Sequence, residues 1–251
     1  MDEIDLSDAR RRAAEVAADW GVELADQFEL SKISFVAPAG DDAVIKVLWE
    51  HDDEGLHEPD ALELWDGDGA ARLLRRDSAR QALLEERIRP GTDLSHVEDD
   101  DKATEIAIAV ARRLWRPAGV PFRRVADQIP RWLANEPTEL TPFALELFES
   151  LEPHHDWLIH GDFHHHNILL RGDRYVAIDP KPYLGEREFD VYTWLHNPIK
   201  YLMNRADAER RIAHFVAAGL DDYRIRAWAI IRGAHLNWSV DERAMLRSLL
   251  D

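Results

Sequence analysis

The stretch Trp157–Leu170, WLIHGDFHHHNILL, decides how the chain is interpreted. Two apolar runs, Leu158–Ile159 and Ile168–Leu170, enclose a polar segment of histidine, glycine, aspartate and asparagine. This pattern predicts two short buried strands joined by a loop. The loop therefore carries the chemistry, and its residues suggest either a metal bound by histidine or a catalytic aspartate.

A zinc site built from histidine is the first alternative. His160 and His164 are four residues apart, a spacing that places two ligands on one face of a helix. The HExxH pattern with its glutamate base is missing, however, and Gly161 disfavours a helix at this point. The chain contains no cysteine, which excludes disulfides and thiolate metal sites.

A magnesium site built from oxygen ligands is the second alternative. Asp162 and Asn167 share the loop, and Asp179 follows on the next predicted strand. Asp162 can accept a proton from a substrate hydroxyl, while Asn167 and Asp179 offer the oxygen ligands that Mg²⁺ prefers. Phosphoryl transfer uses this combination. An isolated DxxxxN pattern would be better explained by hydrogen bonds to the backbone of the loop, and it is the spacing to Asp179 and the N-terminal part of the chain that favour the metal.

The N-terminal part of the chain favours the magnesium interpretation. The segment Ala43–Trp49, AVIKVLW, predicts a buried strand that contains Lys46. A lysine beside a core can simply extend its ammonium to water. Glu58, however, begins the next predicted helix and can pair with Lys46, and such a pair positions the ammonium for nucleotide phosphates.

The order of predicted elements indicates an α+β protein. A helix ending at Gly21, with Asp8 as its cap, precedes a strand over Phe28–Phe35 and a turn at residues 37–42. Further elements are predicted from hydrophobic periodicity: a strand at 43–49, a helix at 57–66, strands at 71–76 and 80–88, and helices at 99–117 and 141–153. Arg89–Thr92 breaks the pattern, so we expect a sheet-containing domain over 1–88 and a mainly helical one over 89–251.

The charge balance restricts the partners. The chain has 31 basic and 49 acidic residues, a formal net charge of −18. This argues against nucleic acid, whose phosphates require clustered Lys and Arg. An acidic surface would attract a cationic small molecule. The same excess of acidic residues would also be found in a protein where they only maintain solubility. The sequence has neither a long apolar run nor a signal-peptide pattern, so we expect a cytoplasmic protein without a membrane partner.

Taken in their order along the chain, the motifs around Lys46, Glu58 and Asp162 resemble the protein-kinase-like superfamily, in its aminoglycoside phosphotransferase branch. Within that branch they are most similar to the streptomycin 6-kinase and hydroxyurea phosphotransferase group. The resemblance covers about residues 25–250. Three parts of the chain carry it: LWDGDGAARLL at 64–74, LEERIRPG at 84–91, and IHGDFHHHNILL with AIDP, GEREFD and LHNP at 159–198.

The resemblance implies a two-lobed kinase fold that uses ATP and Mg²⁺. It makes Asp162 the catalytic base and Asn167 and Asp179 the magnesium ligands. Lys46 would contact the α- and β-phosphates, and Glu58 would orient it. Supporting roles follow for the rest: His160 and Asp190 brace the site, and the segment holding the adenine includes Glu85, Glu86 and Arg87.

Two segments depart from the family pattern. LSKISFVAPAG stands where a glycine-rich phosphate loop is expected and contains one glycine, so Ser31 and Ser34 are the candidate phosphate contacts there. IDPKPYLGERE carries Lys181–Pro182 and Glu186–Arg187 where members usually show glycine and GDP. These departures leave the acceptor open. The candidate acceptor contacts are His164, Glu186, Glu188 and Trp194.

The leading hypothesis is an ATP-dependent phosphotransferase that phosphorylates a hydroxyl of a small molecule, with a cationic aminoglycoside such as streptomycin as the implied acceptor. One alternative is a kinase for hydroxyurea or another metabolite alcohol. A second is a nucleotide-binding protein of the same fold without catalysis. We expect the chain to act as a monomer.

Overall fold

The computed structural model describes residues 5–29, 33–49, 51–198, 204–236 and 239–251, so Ser31 lies outside the described residues. The chain forms two compact units. The first contains the chain up to Thr92 together with Leu169–Lys181, and the second contains Asp93–Ile168 and the chain from Pro182 onward. The sequence predicted two lobes, a sheet-containing one over residues 1–88 and a mainly helical one over 89–251. Because these lobes were defined by their roles, the division stays a prediction.

The first unit is built on an antiparallel sheet of four strands in the order β1-β2-β4-β3. Its helices and strands follow the order that the hydrophobic pattern predicts: a helix, two strands, a second helix and two further strands. Their bounds are α1 Ser7–Trp20, β1 Ser34–Ala39, β2 Ala43–Leu48, α2 Glu58–Trp65, β3 Leu73–Asp77 and β4 Ala82–Glu86.

Helix α1 covers one face of this sheet. Ala9, Ala13 and Val16 recur at helical spacing and are buried against apolar residues of the strands. Gly21 ends the helix in the left-handed region, at φ 66°. The predicted cap is wrong: Asp8 lies within the first turn, where its carboxylate accepts hydrogen bonds from nearby arginines instead of from the helix backbone.

Strand β1 lies closer to the turn than predicted. It begins at Ser34 and continues through Pro38, whereas Phe28 and Ile33 lie outside it. Proline is compatible with this position because β1 is an edge strand of its sheet, where a missing N–H can face away from the partner. The turn is therefore confined to residues 40–42, and Gly40 supplies its positive φ of 67°.

A second, three-stranded sheet leads to Asp179. Its strands, in the order β5-β8-β9, are β5 Pro90–Asp93, β8 Ile168–Arg171 and β9 Arg174–Ala177. The end of β9 is tied to the segment after α2, because Ala71 N donates to Ala177 O and Ala177 N donates to Gly69 O, each at 2.8 Å. Asp179 therefore follows directly after an anchored strand.

The second unit is mainly helical. Its helices are α3 Asp100–Leu114, α4 Ile129–Asn135, α5 Thr141–Leu151, α6 Val191–His196, α7 Arg205–Ala217, α8 Asp222–Gly233 and α9 Val240–Arg247. A small sheet in the order β10-β7-β6 joins β6 Arg116–Pro117, β7 Trp157–Ile159 and β10 Tyr183–Gly185. Helix α8 lies in the core, with Trp228 and Ile231 fully buried. Among the described residues, no helix is long and apolar enough to cross a membrane.

Candidate active site

A buried ionic cluster in the first unit contains three of the predicted site residues. Lys46 lies on β2, Glu58 begins α2, and Asp179 follows β9. The Lys46 Nζ atom lies 2.6 Å from Glu58 Oε2 and 2.5 Å from Asp179 Oδ1. One ammonium therefore joins two carboxylates from distant parts of the sequence through charge-assisted bonds.

Charge keeps this lysine ionised despite its burial. Burial alone would lower the pKa of Lys46, but the negative charges of Asp179 and Glu58 outweigh that effect and raise it. The Glu58 carboxyl is fully buried as well, and its burial raises its pKa against the opposing attraction of Lys46. A buried cation surrounded by carboxylates remains charged at physiological pH.

Asp179 adopts an unusual backbone conformation. Its φ is 53°, in the left-handed region that residues with a Cβ seldom occupy. Such a conformation costs on the order of 1 kcal/mol and persists where neighbouring contacts hold it. Here the anchored strand β9 and the bond to Lys46 hold it. The carboxylate remains partly exposed.

The predicted adenine segment forms the end of β4 and the residue after it. In the sheet register Val44 pairs with Glu85 and Lys46 pairs with Leu83, so the Glu85 side chain lies on the same face as Lys46. Burial, followed by the charge of Glu58, raises the pKa of Glu85 to about 8. A carboxyl group with this pKa is mostly protonated at neutral pH.

The neighbours of Glu85 already have protein partners. The Glu86 carboxylate lies 2.6 Å from Arg171 Nη1, and the backbone N–H of Glu86 donates to the carbonyl of Arg72. The backbone N–H of Arg87 donates to Asp42 O at 2.8 Å. These two amides are therefore occupied, and a role for this segment in holding the adenine stays a prediction that would rest on other groups.

Ser34 also stays a prediction. It lies at the start of β1 opposite Leu48, and it is buried. The structure describes no glycine-rich loop in residues 33–40, because β1 occupies most of that segment and its single glycine lies in the following turn.

The Asp162 loop, in the second unit, is held by Asp190. The two carboxylate oxygens of Asp190 accept the backbone N–H groups of His160 at 3.0 Å and Gly161 at 2.7 Å, and the indole N–H of Trp115 at 2.9 Å. Burial raises the pKa of Asp190 to about 6, against these hydrogen bonds, which lower it. Asp190 thus holds the backbone of the loop, and its supporting role in the site stays a prediction.

Asn167 fixes the far end of the same loop. Its Nδ2 donates to the backbone oxygen of Asp162 at 3.0 Å and to its Oδ2 at 3.2 Å. The buried His160 ring accepts the Asp162 N–H through Nδ1 at 3.3 Å, and His164 Nε2 lies 3.5 Å from Asp162 Oδ2. The Asp162 side chain is 35% exposed, so an oriented carboxylate faces solvent at the surface of this unit.

The remaining histidines do not form a zinc site. His165 is buried and stacks on Trp194 with ring centroids 3.6 Å apart. Burial, and then the charge of Arg211, lowers the pKa of His165 to about 3. His166 lies 3.1 Å from Asp93. In the described residues no group of three or more His, Cys, Asp or Glu side chains is arranged to hold a metal ion, which leaves the zinc alternative without support.

The predicted acceptor contacts differ in accessibility. Glu186 is buried, and its carboxylate accepts bonds from the His154 backbone, Arg224 and Trp228 at 2.6–2.7 Å. Glu188 is buried and accepts the Asp221 N–H. The fully buried Trp194 donates from its indole to Thr104. His164 alone of these four is partly exposed, and a role in acceptor binding stays a prediction for all of them.

Sequence reasoning missed several residues of these two clusters. Trp115 gave no signal, because it reads as an ordinary core aromatic at the end of α3. Lys181 was noted only as a departure from the family pattern, although its Nζ lies 3.7 Å from Asp179. Arg171, which ends β8 and pairs with Glu86, was not singled out as a site residue.

Proteins of known function are similar to this chain over most of its length. The family model "Aminoglycoside/hydroxyurea antibiotic resistance kinase" matches residues 21–241. The chain is 32% identical to a streptomycin 3″-kinase of Klebsiella pneumoniae over 243 residues, covering 83% of this chain and 89% of that protein. It is 32% identical to a hydroxyurea phosphotransferase of Kitasatospora aureofaciens over 254 residues, covering 92% of this chain and 73% of that protein.

A solved structure with the same fold is the choline kinase LicA from Streptococcus pneumoniae. The TM-score is 0.66 at 10% identity, covering 96% of this chain and 98% of that one. LicA has also been solved in complex with AMP. The fold and the family together define a protein-kinase-like, nucleotide-dependent phosphotransferase that acts on small molecules. The chain belongs to the aminoglycoside/hydroxyurea antibiotic resistance kinase family, so the predicted family and fold class are confirmed.

Proposed function

We propose that this kinase transfers the terminal phosphoryl group of ATP, with Mg²⁺, to a hydroxyl of streptomycin or a closely related aminoglycoside. The observation that carries the proposal is the Lys46 ammonium held between Glu58 and Asp179. A purely structural ion pair would need only one carboxylate. Two carboxylates around one buried cation form a site that accepts phosphate oxygens and a divalent ion.

The residues of the first unit suit a magnesium nucleotide. Lys46 is permanently charged and offers ammonium donors to phosphate oxygens, and Glu58 fixes its position from the start of α2. The partly exposed Asp179 carboxylate is a hard oxygen ligand suited to Mg²⁺. The magnesium role of Asn167 stays a prediction. When bound, the metal would neutralise charge on the phosphates. Glu85, on the Lys46 face of the sheet, is the group we assign to the base side of the nucleotide.

The residues of the second unit suit proton transfer. Asp162 would accept the proton of the acceptor hydroxyl, because its carboxylate is oriented by Asn167 and reaches solvent. Asp190 and His160 keep the loop backbone in place through bonds that do not use the reactive oxygens. Asp162 is thus free to change its protonation state without releasing the loop.

Two acceptors have support from relatives of equal identity. A streptomycin 3″-kinase and a hydroxyurea phosphotransferase are each 32% identical to this chain. The net charge of −18 favours the cationic aminoglycoside, because hydroxyurea is neutral and gains nothing from an acidic surface. Hydroxyurea is therefore the second candidate.

A panel assay tests the proposal. The purified chain is incubated with ATP, MgCl₂ and one acceptor at a time, namely streptomycin, hydroxyurea, kanamycin or choline, and phosphorylated product is detected by mass spectrometry. We expect a product with streptomycin that disappears without Mg²⁺ and in the Asp162→Asn variant. Product with hydroxyurea alone would move the assignment to the second candidate. Nucleotide binding without product from any acceptor would contradict an aminoglycoside kinase.

We further propose that the enzyme works as a monomer in the cytoplasm, where its ATP is available. Each group assigned above comes from one chain. Light scattering during gel filtration checks the first point: the mass of one chain is expected, and activity that falls on dilution would contradict it.

A further inference from the structure

A second lysine lies beside the Lys46 cluster. Lys181 ends the first unit two positions after Asp179, and its side chain is only 15% exposed. Its Nζ lies 3.7 Å from Asp179 Oδ1, the same oxygen that bonds Lys46. Two ammonium groups, one on strand β2 and one in the segment after β9, thus converge on the Asp179 carboxylate, the proposed metal ligand.

Lys181 is also placed by Asp52. Asp52 Oδ1 accepts the N–H groups of Glu54 and Gly55 at 3.1 and 3.0 Å, and so holds the turn that leads into α2. Its other oxygen, Oδ2, is buried, lacks a hydrogen bond in the described residues, and lies 3.6 Å from Lys181 Nζ. Asp52 therefore fixes both Lys181 and the approach to Glu58.

The distances from the Lys181 ammonium to Asp52 and Asp179 are too long for it to donate a hydrogen bond to either carboxylate. An N–H···O hydrogen bond requires about 2.7–3.2 Å, and both carboxylates are farther away than that. In the parts of the chain that the structure describes, Lys181 makes ion pairs but no hydrogen bond. An ammonium has three donors, and a buried one is normally hydrogen-bonded. The group is therefore positioned for a further anionic partner.

The absence of a glycine-rich loop from the described residues 33–40 identifies the class of that partner. In many kinases backbone amides of such a loop cover the nucleotide phosphates, but here strand β1 occupies most of residues 33–40. Side chains must then carry more of the phosphate charge. Lys181 is the described cation closest to both Asp179 and Lys46 that makes no hydrogen bond of its own.

We propose that Lys181 is a second phosphate-binding cation of the nucleotide site, contacting the β- or γ-phosphate end of ATP beside Asp179. This inference rests on the proposed function, because it assumes that a nucleoside triphosphate binds at the Lys46 cluster. Lys46 and Lys181 then share the polyphosphate, and Asp52 keeps the second lysine from turning away toward water.

Affinity as a function of phosphate number tests the role. Dissociation constants for AMP, ADP and ATP, each with Mg²⁺, are measured by calorimetry for the wild type and Lys181→Met. We expect the variant to bind ATP about tenfold more weakly, the size of one charged hydrogen bond, and to bind AMP almost normally. Lys102→Met is the matched control, because Lys102 is 60% exposed on α3, and we expect no change in any of the three constants.

The outcomes separate this inference from the proposed function. Equal weakening for AMP, ADP and ATP, or no weakening at all, would overturn the role of Lys181 while leaving a functioning kinase. A wild type that binds none of the three nucleotides would instead overturn the proposed function. Should Lys181→Met fail to fold by circular dichroism, Lys181→Gln decides by the same criterion: ATP affinity lost while AMP affinity is normal and the fold intact supports the phosphate contact, and retained ATP affinity contradicts it.

Discussion

The two clusters of this kinase are held in place by different forces. In the first unit Lys46, Glu58 and Asp179 are organised by buried charge of both signs. In the second unit the Asp162 loop is organised by hydrogen bonds from its backbone to Asp190. The first cluster therefore uses the same groups for stability and for ligand binding, whereas the second separates them.

This difference has a physical reason. A nucleotide polyphosphate must be met by charge, and charge can be buried only where opposite charges compensate it. A catalytic base must instead change its protonation state during the reaction, so it is better positioned through hydrogen bonds to the backbone of its loop than through an ion pair with the reacting carboxylate. The comparison predicts that substitutions in the first unit change stability and affinity together, and that substitutions at Asp162 change turnover alone.

The largest effect is expected for turnover in Asp162→Asn. The amide keeps the shape of the side chain but cannot accept the hydroxyl proton, and general-base catalysis contributes about 10²–10⁴-fold. We expect kcat to fall by about 10³-fold, while the melting temperature stays within a degree or two of the wild type. A steady-state assay and a thermal melt measure both quantities. A variant with near-normal kcat would show that Asp162 is not the base.

The next largest effect is expected for stability in Glu58→Ala. Removing one partner of a buried ion pair leaves an uncompensated charge and costs about 3–5 kcal/mol. Asp179 still compensates Lys46 in part, so we expect a loss near the lower end of that range, measured by urea unfolding. Glu63→Ala on the same helix is the control, because Glu63 is 53% exposed and should change stability by less than about 1 kcal/mol. Equal losses in the two variants would contradict a buried charge network.

A smaller effect is expected for Asp190→Asn. An amide has one acceptor oxygen where the carboxylate has two, so one of the N–H groups of His160, Gly161 and Trp115 loses its partner. A buried unsatisfied donor costs about 1–3 kcal/mol. We expect a lower melting temperature and a lower kcat with an unchanged Kd for ATP. Weakened ATP binding would break the separation between the two clusters.

Expressed per pH unit, the smallest effect concerns the pH dependence of stability. Glu85 holds its proton in the folded chain up to about pH 8, whereas a glutamate with the reference pKa of 4.5 releases it near that value. The folded state therefore binds the extra proton between these values, and its stability falls as pH rises through that interval. One proton contributes at most about 1.4 kcal/mol per pH unit. Urea unfolding from pH 5 to 8 should show this decline, and Glu85→Gln should flatten it; an unchanged slope would contradict the raised pKa.

Much of the fold could be predicted from the sequence, because it follows from local signals. The order of helices and strands before Arg89 came from hydrophobic period and turn residues, and the pairing of Lys46 with Glu58 from a strand lysine followed by a helix-start glutamate. The prediction placed strand β1 too early, because Pro38 and Gly40 together look like a turn. Pro38 is tolerated in the strand because β1 lies at the edge of its sheet, and the order of strands in a sheet cannot be seen in the sequence.

Long-range contacts account for the rest. Asp179 was predicted as a metal ligand, but its bond to Lys46 joins residues 133 positions apart. Trp115 reaches Asp190 across 75 positions. Such contacts depend on how elements pack, which composition and periodicity do not encode. For the same reason, the burial of Glu186 by Arg224 and Trp228 could not be anticipated.

Direct binding of ATP and Mg²⁺ to two variants tests the central claim that the first unit binds the nucleotide by charge and the second supplies the base. Calorimetry on Lys46→Met and Asp162→Asn measures it without relying on turnover. The account predicts that Lys46→Met loses at least about tenfold in ATP affinity, because a charged contact to phosphate is removed, and that Asp162→Asn binds ATP as the wild type does. Normal ATP binding by Lys46→Met, or a comparable loss in Asp162→Asn, would contradict it.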